Sequence, residues 1–263
     1  MKKRIQLLVI LLFAIFSWGC SSDKKDGENA QNSIVVSGTV KNGEGKTLYL
    51  HMMSVDTAGL GDWSFDGLSN STVANGKFSL RCQPGNAEPM FYRIGMGGQN
   101  TITTLARRGE QLTFTFSNPD TLFRNYKVKG GQDAQLMCEL DQRLSSFIDS
   151  TDHLMLWFVY SDDDTAHAII ENAYMLVKEH HRDYLKAFIA EHPHSIATIA
   201  AFYQKYQNST FFDEVADIDI LEKIYQNLSK KYPRNSNVRW VAKRLELIHK
   251  NIDNQTITEN NSF

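Results

Sequence analysis

The stretch Ser71-Thr-Val-Ala-Asn-Gly-Lys-Phe-Ser-Leu-Arg-Cys82 decides the fold. A two-residue type I′ turn needs positive φ at both central positions, and Asn75-Gly76, which tolerates it, is the sharpest hairpin signal. The spacing therefore predicts a hairpin with strands at 71–73 and 77–81. Side chains alternate along a strand, so Phe78, Leu80 and Cys82 share a face, and Cys82 is expected inside a core.

Similar runs of β-branched and aromatic residues lie on either side, near 34–40, 47–53, 90–94, 100–105, 111–116 and 126–128, punctuated by Gly, Asn and Pro. Leu112, Phe114 and Phe116 alternate as Phe78 and Leu80 do. Regular spacing predicts an antiparallel sandwich or partly open barrel over 34–131. Val55 to Gly67 reads as an insertion with Trp63 and Phe65 at its tip. It is either a ligand-facing loop or a flap on the sandwich, and the flap is favoured because loop aromatics more often pack than bind. Gly95-Met-Gly-Gly98 is read as a hairpin loop and not as a phosphate cradle.

Beyond Gly131 the hydrophobic period becomes helical. Leu136, Leu140, Leu144 and Phe147 fall on one face, as do Ile170, Tyr174, Val177, His181, Tyr184 and Phe188 in a second helix. Leu154 to Tyr160 is apolar throughout, and periodicity alone does not assign it. Ile196 to Tyr203 predicts another helix, then a loop at 208–213. Two further stripes follow, from Ile218 to Tyr232 and from Val238 to Ile252, with the turn at Pro233 and Asn235 to Asn237. The fold class is thus α+β in two parts: a β domain at 34–131 and an all-α segment at 132–252, with 253–263 expected as a disordered tail.

The N-terminus speaks to location. Lys2-Lys3-Arg4 precede an apolar run from Ile5 to Phe16, closed by Ser17-Trp-Gly-Cys20. A spanning helix wants about twenty apolar residues, so this shorter run reads as a cleaved signal peptide at 1–19. Its last four residues resemble a lipobox, which implies lipidation of Cys20. Removing Lys2, Lys3 and Arg4 takes the formal net charge from −2 to −5, leaving no basic field for nucleic acid. Residues 20–33 are polar and read as a tether. Ser21 after the cysteine argues against retention at the inner membrane. The expectation is a lipid-anchored protein of the cell envelope, at the outer membrane, with an unknown envelope protein or ligand as partner.

The runs Ile34-Val-Val-Ser-Gly-Thr-Val40, Thr47-Leu-Tyr-Leu50, Val73-Ala-Asn-Gly-Lys-Phe-Ser-Leu80, Arg108-Gly-Glu-Gln-Leu-Thr-Phe114 and Val128-Lys-Gly-Gly131 resemble, in order, a β domain of unknown function. That domain stands at the N-terminus of many envelope lipoproteins, ahead of a helical segment and a thioredoxin-like domain. Asp183 to Ser195 is similar to the helical segment. Gly131 departs from the family, where serine is more frequent. The resemblance implies no catalytic residues here, because the chain has no C-x-x-C pair to match the thioredoxin-like domain.

Candidate chemistry is sparse. Once Cys20 is lipidated, Cys82 and Cys138 remain, as a structural disulfide joining the two parts, as separate buried thiols or, least in keeping with their spacing, as a catalytic pair. Asp162-Asp-Asp164 lacks the spacing of an EF-hand and reads as helix capping or a solvated turn. His180, His181, His192 and His194 lack the i, i+4 arrangement of a zinc helix, and His181 reads as a hydrogen-bonded seam residue. No metal or other cofactor is expected. Asp56-Thr57, Asp120-Thr121, Asp149-Ser150 and Asp164-Thr165 resemble an O-glycosylation acceptor pattern, which would modify Thr57, Thr121, Ser150 and Thr165, although turns and caps use the same residues. The leading expectation is a noncatalytic binding or scaffolding module. The alternative is an accessory factor in envelope thiol–disulfide redox or stress response.

Overall fold

The computed structural model describes residues 32–54 and 64–260, with side chains described for 32–54 and 65–254. The signal peptide, Cys20, most of the tether, Thr57 and Trp63 lie outside the described residues. The β domain holds β1 (Ile34–Val40), β2 (Thr47–Ser54), β3 (Ser64–Thr72), β4 (Lys77–Cys82), β5 (Met90–Gly95), β6 (Thr101–Ala106), β7 (Gln111–Phe116) and β8 (Lys127–Lys129). They form two four-stranded sheets, ordered β4-β1-β7-β8 and β3-β2-β5-β6.

The sandwich is mixed, because β1 and β7 run parallel while every other pair in the two sheets is antiparallel. Asn75 and Gly76 adopt φ of 54° and 71°, as the hairpin turn requires. One expectation is corrected. Residues 64–67, read as part of the inserted loop, begin β3, which pairs with β2 along its length. The stretch Ser64-Phe-Asp-Gly-Leu-Ser-Asn-Ser-Thr72 has too few β-branched residues to signal a strand. It forms an edge strand, where only one neighbour must be satisfied.

The two sheets meet at one seam through β3 and β4. Backbone N–H groups of Ser79 and Arg81 donate to the hydroxyls of Ser71 (3.1 Å) and Ser69 (3.4 Å). Side-chain oxygens thus replace ladder carbonyls where the twist separates the strands. The opposite seam, between β6 and β8, is covered by the first long helix. Ile34, Leu50, Leu80, Ile94, Phe114, Phe116 and Tyr126 fill the space between the sheets.

The helical part comprises α1 (Gln132–Tyr160), α2 (Asp164–Glu191), α3 (Ala197–Phe202), a small β9/β10 hairpin (Lys205–Tyr206 and Ser209–Thr210), α4 (Ile218–Lys231) and α5 (Ser236–Asn260). The run Leu154 to Tyr160 continues α1. α5 runs past 252, to Asn260. Asp163 caps α2, its carboxylate accepting the N–H of Thr165 at 3.1 Å.

β5 joins the two parts. Its inner residues Met90, Tyr92 and Ile94 enter the sandwich core, while Phe91 faces out into the helical core with Leu105 of β6. Asn235, in the turn between α4 and α5, is fully buried and donates to the Pro89 carbonyl at 2.8 Å. Because both faces of β5 are covered, the helices are docked against the sheet rather than tethered to it.

Candidate functional site

Docking leaves a cleft of about 680 Å³ between the outer face of the β3-β2-β5-β6 sheet and the helices, within the usual range for ligand pockets. Met53, Phe91 and Thr103 form its floor. Their register explains the grouping: Met53, Phe91 and Thr103 sit at alternate, outward positions of β2, β5 and β6. The walls come from Phe202 and Tyr203 at the end of α3, Phe212 after β10, and Trp240 and Arg244 on α5. Phe202 stacks on Phe212 with ring centroids 5.1 Å apart, and Tyr203 meets Trp240 edge-on at 5.1 Å.

Three polar groups of this cleft are paired with one another. Arg244 makes a bidentate pair with Glu214, its Nε donating at 2.8 and 2.9 Å, and the Tyr203 hydroxyl donates to Glu214 Oε1 at 2.8 Å. Burial works against the Glu214 carboxylate, but these charge-assisted bonds outweigh it and hold its pKa below the ordinary value. Burial and the neighbouring carboxylate push the Tyr203 hydroxyl up. Glu214 therefore stays ionised and Tyr203 protonated near neutrality, which suits holding a ligand and not proton transfer. Outside the lining, Arg93 is paired in register with Thr103 across β5 and β6, stacks 3.9 Å from the centre of the Phe65 ring and keeps its Nε buried without a partner. That guanidinium is a donor beside an apolar floor.

Neither Glu214, Arg244, Trp240 nor Arg93 emerges from sequence reasoning, because they lie on three separate stretches, β5, the loop before α4 and α5, and follow no motif. The aromatic pair Phe211-Phe212 was the accessible signal. It sits in a stretch read as a loop, yet both rings are buried.

Cys82 and Cys138 are buried free thiols in the same sandwich core, which is the second of the alternatives the sequence leaves open. Cys138 is engaged elsewhere: its Sγ–H donates to the Tyr126 carbonyl at 3.5 Å, and Gln142 Nε2 donates to the sulfur at 3.4 Å. Burial pushes both thiols up to about 11, so they are protonated and unreactive at neutral pH. Native protein is accordingly expected to take up no iodoacetamide at pH 7.5, and guanidinium-unfolded protein to gain two alkyl groups at Cys82 and Cys138 without reductant. Intact-mass measurement checks both, and alkylation that requires reductant would show a disulfide.

His181 is a buried seam residue. Its Nε2 lies 2.6 Å from Gln204 Oε1, and its ring is 4.4 Å from Phe211 and 4.9 Å from Phe147. Burial lowers its pKa, which keeps the ring neutral. Among the described residues no three His, Cys, Asp or Glu side chains converge as metal ligands would. Of the acceptor-like residues, Thr121 is partly buried in the loop after β7, while Ser150 on α1 and Thr165 on α2 are exposed. Ser150 donates to the Ser146 carbonyl at 2.9 Å, and the aspartates ahead of Thr121 and Ser150 are paired with Lys46 and Arg124. No described helix is long and apolar enough to cross a membrane.

No family model matches the chain, and no curated protein matches it.

Proposed function

We propose that this protein is a lipid-anchored component of the cell envelope, held at the outer membrane through Cys20, that acts by binding. It takes an apolar or aromatic segment of a partner into the cleft between sheet and helices. The observation that carries this reading is the mutual pairing of Glu214, Arg244 and Tyr203 beside the aromatic side chains that line the cleft. Such a site offers contact area and fixed dipoles but no group poised to exchange a proton. The basic-apolar-cysteine order of the first twenty residues supports the anchor. The resemblance of 34–131 to a β domain of envelope lipoproteins agrees with it. The alternative, an accessory role in thiol–disulfide exchange, is weakened by the burial of both thiols.

The test places a photoreactive side chain at Lys205, on the cleft wall, in cells making the full chain. A cross-linked envelope partner is expected with the native cleft, and Thr103→Trp, which fills the floor, is expected to abolish it without lowering the melting temperature. Cys20→Ala is expected to move the protein from the membrane to the soluble envelope fraction. An unchanged cross-link pattern in Thr103→Trp would remove the cleft from the function.

A further inference from the structure

The chain is acidic overall, but its charge is unevenly placed. Residues 107–110 and 230–239 hold six cations, Arg107, Arg108, Lys230, Lys231, Arg234 and Arg239, against one carboxylate, Glu110. All six are exposed. The fold brings these two stretches, the β6–β7 turn and the turn between α4 and α5, to one end of the molecule. Asn235 fixes the α4–α5 turn on the Pro89 carbonyl, Arg108 donates to the Pro84 carbonyl at 3.2 Å, and Pro84 and Arg239 line one pocket of about 360 Å³. Arg107 lies within electrostatic reach of Tyr232. Glu110 pairs with Arg107 at 2.9 Å and Asp133 acts on it too, so the other five cations carry most of the field. The chain enters the β domain at this same end, where the Ser33 carbonyl accepts the Gly109 N–H at 3.1 Å and Val35 donates to the Glu110 carbonyl at 3.0 Å. Thirteen residue steps lead from Cys20 to Ser33, and they span at most ~45 Å even fully extended. The acidic groups lie elsewhere. α1 starts beside Glu110, whose Oε2 would stand 3.1 Å from a Cβ built on Gly131, and its 29 residues run ~44 Å toward Asp162, Asp163 and Asp164. Between Asp149 and Glu179 seven acidic residues accompany a single lysine.

We propose that the end formed by the β6–β7 and α4–α5 turns lies against a bilayer surface bearing anionic headgroups, with the acidic α1–α2 hairpin directed away from it. This rests on the reading of Cys20 as a lipid anchor, which brings the surface within reach of Ser33. Charge sets the orientation. A negative surface attracts the basic end and repels the acidic hairpin, so both forces turn the molecule the same way. Position selects lipid over a soluble acidic partner, because the stretch that leads to Cys20 leaves the domain at Ser33, beside Arg107 and Arg108. An acyl anchor fixes distance from the membrane and leaves rotation free. A polybasic face supplies the second signal, which adds affinity and selects one face.

Vesicle co-sedimentation of the unlipidated chain from Ser21 onward, which keeps every described residue, separates this face from the anchor. At about 0.1 M salt, binding is expected to phosphatidylcholine–phosphatidylglycerol vesicles and not to phosphatidylcholine alone, and it is expected to disappear at about 1 M salt. Lys230→Gln, Arg234→Gln and Arg239→Gln together are expected to weaken it roughly a hundredfold, about fivefold for each cation removed. The melting temperature is expected to stay unchanged, since all three side chains are exposed. Lys41→Gln, Lys77→Gln and Lys178→Gln remove the same charge at the far end of the sandwich and on the distal hairpin, beyond a Debye length of about 10 Å, and are expected to change binding less than about twofold. No binding to the phosphatidylglycerol vesicles, equal binding to phosphatidylcholine alone, or equal losses in the two triple variants overturns the proposal. The intact mass of the membrane-extracted protein judges the anchor separately. An unacylated Cys20 would overturn the anchor, and a failure of vesicle binding the basic face, so the two failures are told apart.

Discussion

Gly130→Ala is expected to cost about 3 kcal/mol or more of stability, read as a shift in the urea midpoint. Gly130 follows β8 and precedes α1, at φ of 87°. A Cβ there would lie 2.1 Å from the Gln111 carbonyl oxygen and 3.2 Å from its carbon. Two costs combine, a left-handed backbone that L residues avoid and an overlap with main chain that cannot rotate away. Gly45 separates them: its φ is 74° but nothing stands within 4 Å of a built Cβ. Gly45→Ala is expected to cost only the backbone part, about 1–2 kcal/mol. Equal losses at the two positions would refute the close approach. The consequence reaches beyond stability, because this joint aims α1 at the seam between β6 and β8. The same helix carries Met137 to the cleft wall and Trp157 to the exposed tip. A chain that relieves the overlap by moving Gly130 would therefore be expected to lose cleft ligand as well.

How much of this was legible in the sequence depends on the range of the interactions involved. The Asn75-Gly76 hairpin, the alternation of β7 and the stripes of α4 and α5 are local, and period plus turn chemistry suffices to read them. Only the end of β3, at 71–72, was read as strand, because the strand character of 64–70 comes from β2 beside it and not from those residues themselves. Leu154 to Tyr160 had no period to read, since every side of that helix is apolar. The cleft was illegible for a different reason. Glu214 and Arg244 are thirty residues apart, and Met53 meets Trp240 only because β5 buries both its faces. Cys82 was placed correctly in a core by alternation. Its relation to Cys138 stayed open between a disulfide and separate thiols, since a pair of strands and a helix can share a core without bringing two sulfurs into bonding geometry.

The pH dependence of stability is expected to turn on Asp141, one helical turn beyond Cys138 on α1. Its carboxylate accepts the hydroxyl proton of the fully buried Tyr126 at 2.8 Å. Burial raises its pKa from 3.8 to about 7, and the Tyr126 bond offsets only part of that. Below pH ~3.8 the carboxyl is protonated in both folded and unfolded chains and imposes no penalty. Between that pH and 7 the unfolded chain releases the proton while the folded one keeps it, so stability falls as pH rises. Above 7 the folded chain holds a buried charge and the loss is complete. At about 1.4 kcal/mol per pH unit the full difference is ~4.5 kcal/mol, and the solvent that still reaches Asp141 reduces it to about 2–4. Asp141→Asn keeps an acceptor for Tyr126 and removes the charge. The variant is therefore expected to match the native protein near pH 4 and to exceed it by that amount at pH 8. Urea midpoints across the range decide the matter, because a carboxylate stabilised by Tyr126 would give the opposite result: a variant weaker at pH 8, with the native chain gaining stability as Asp141 ionises.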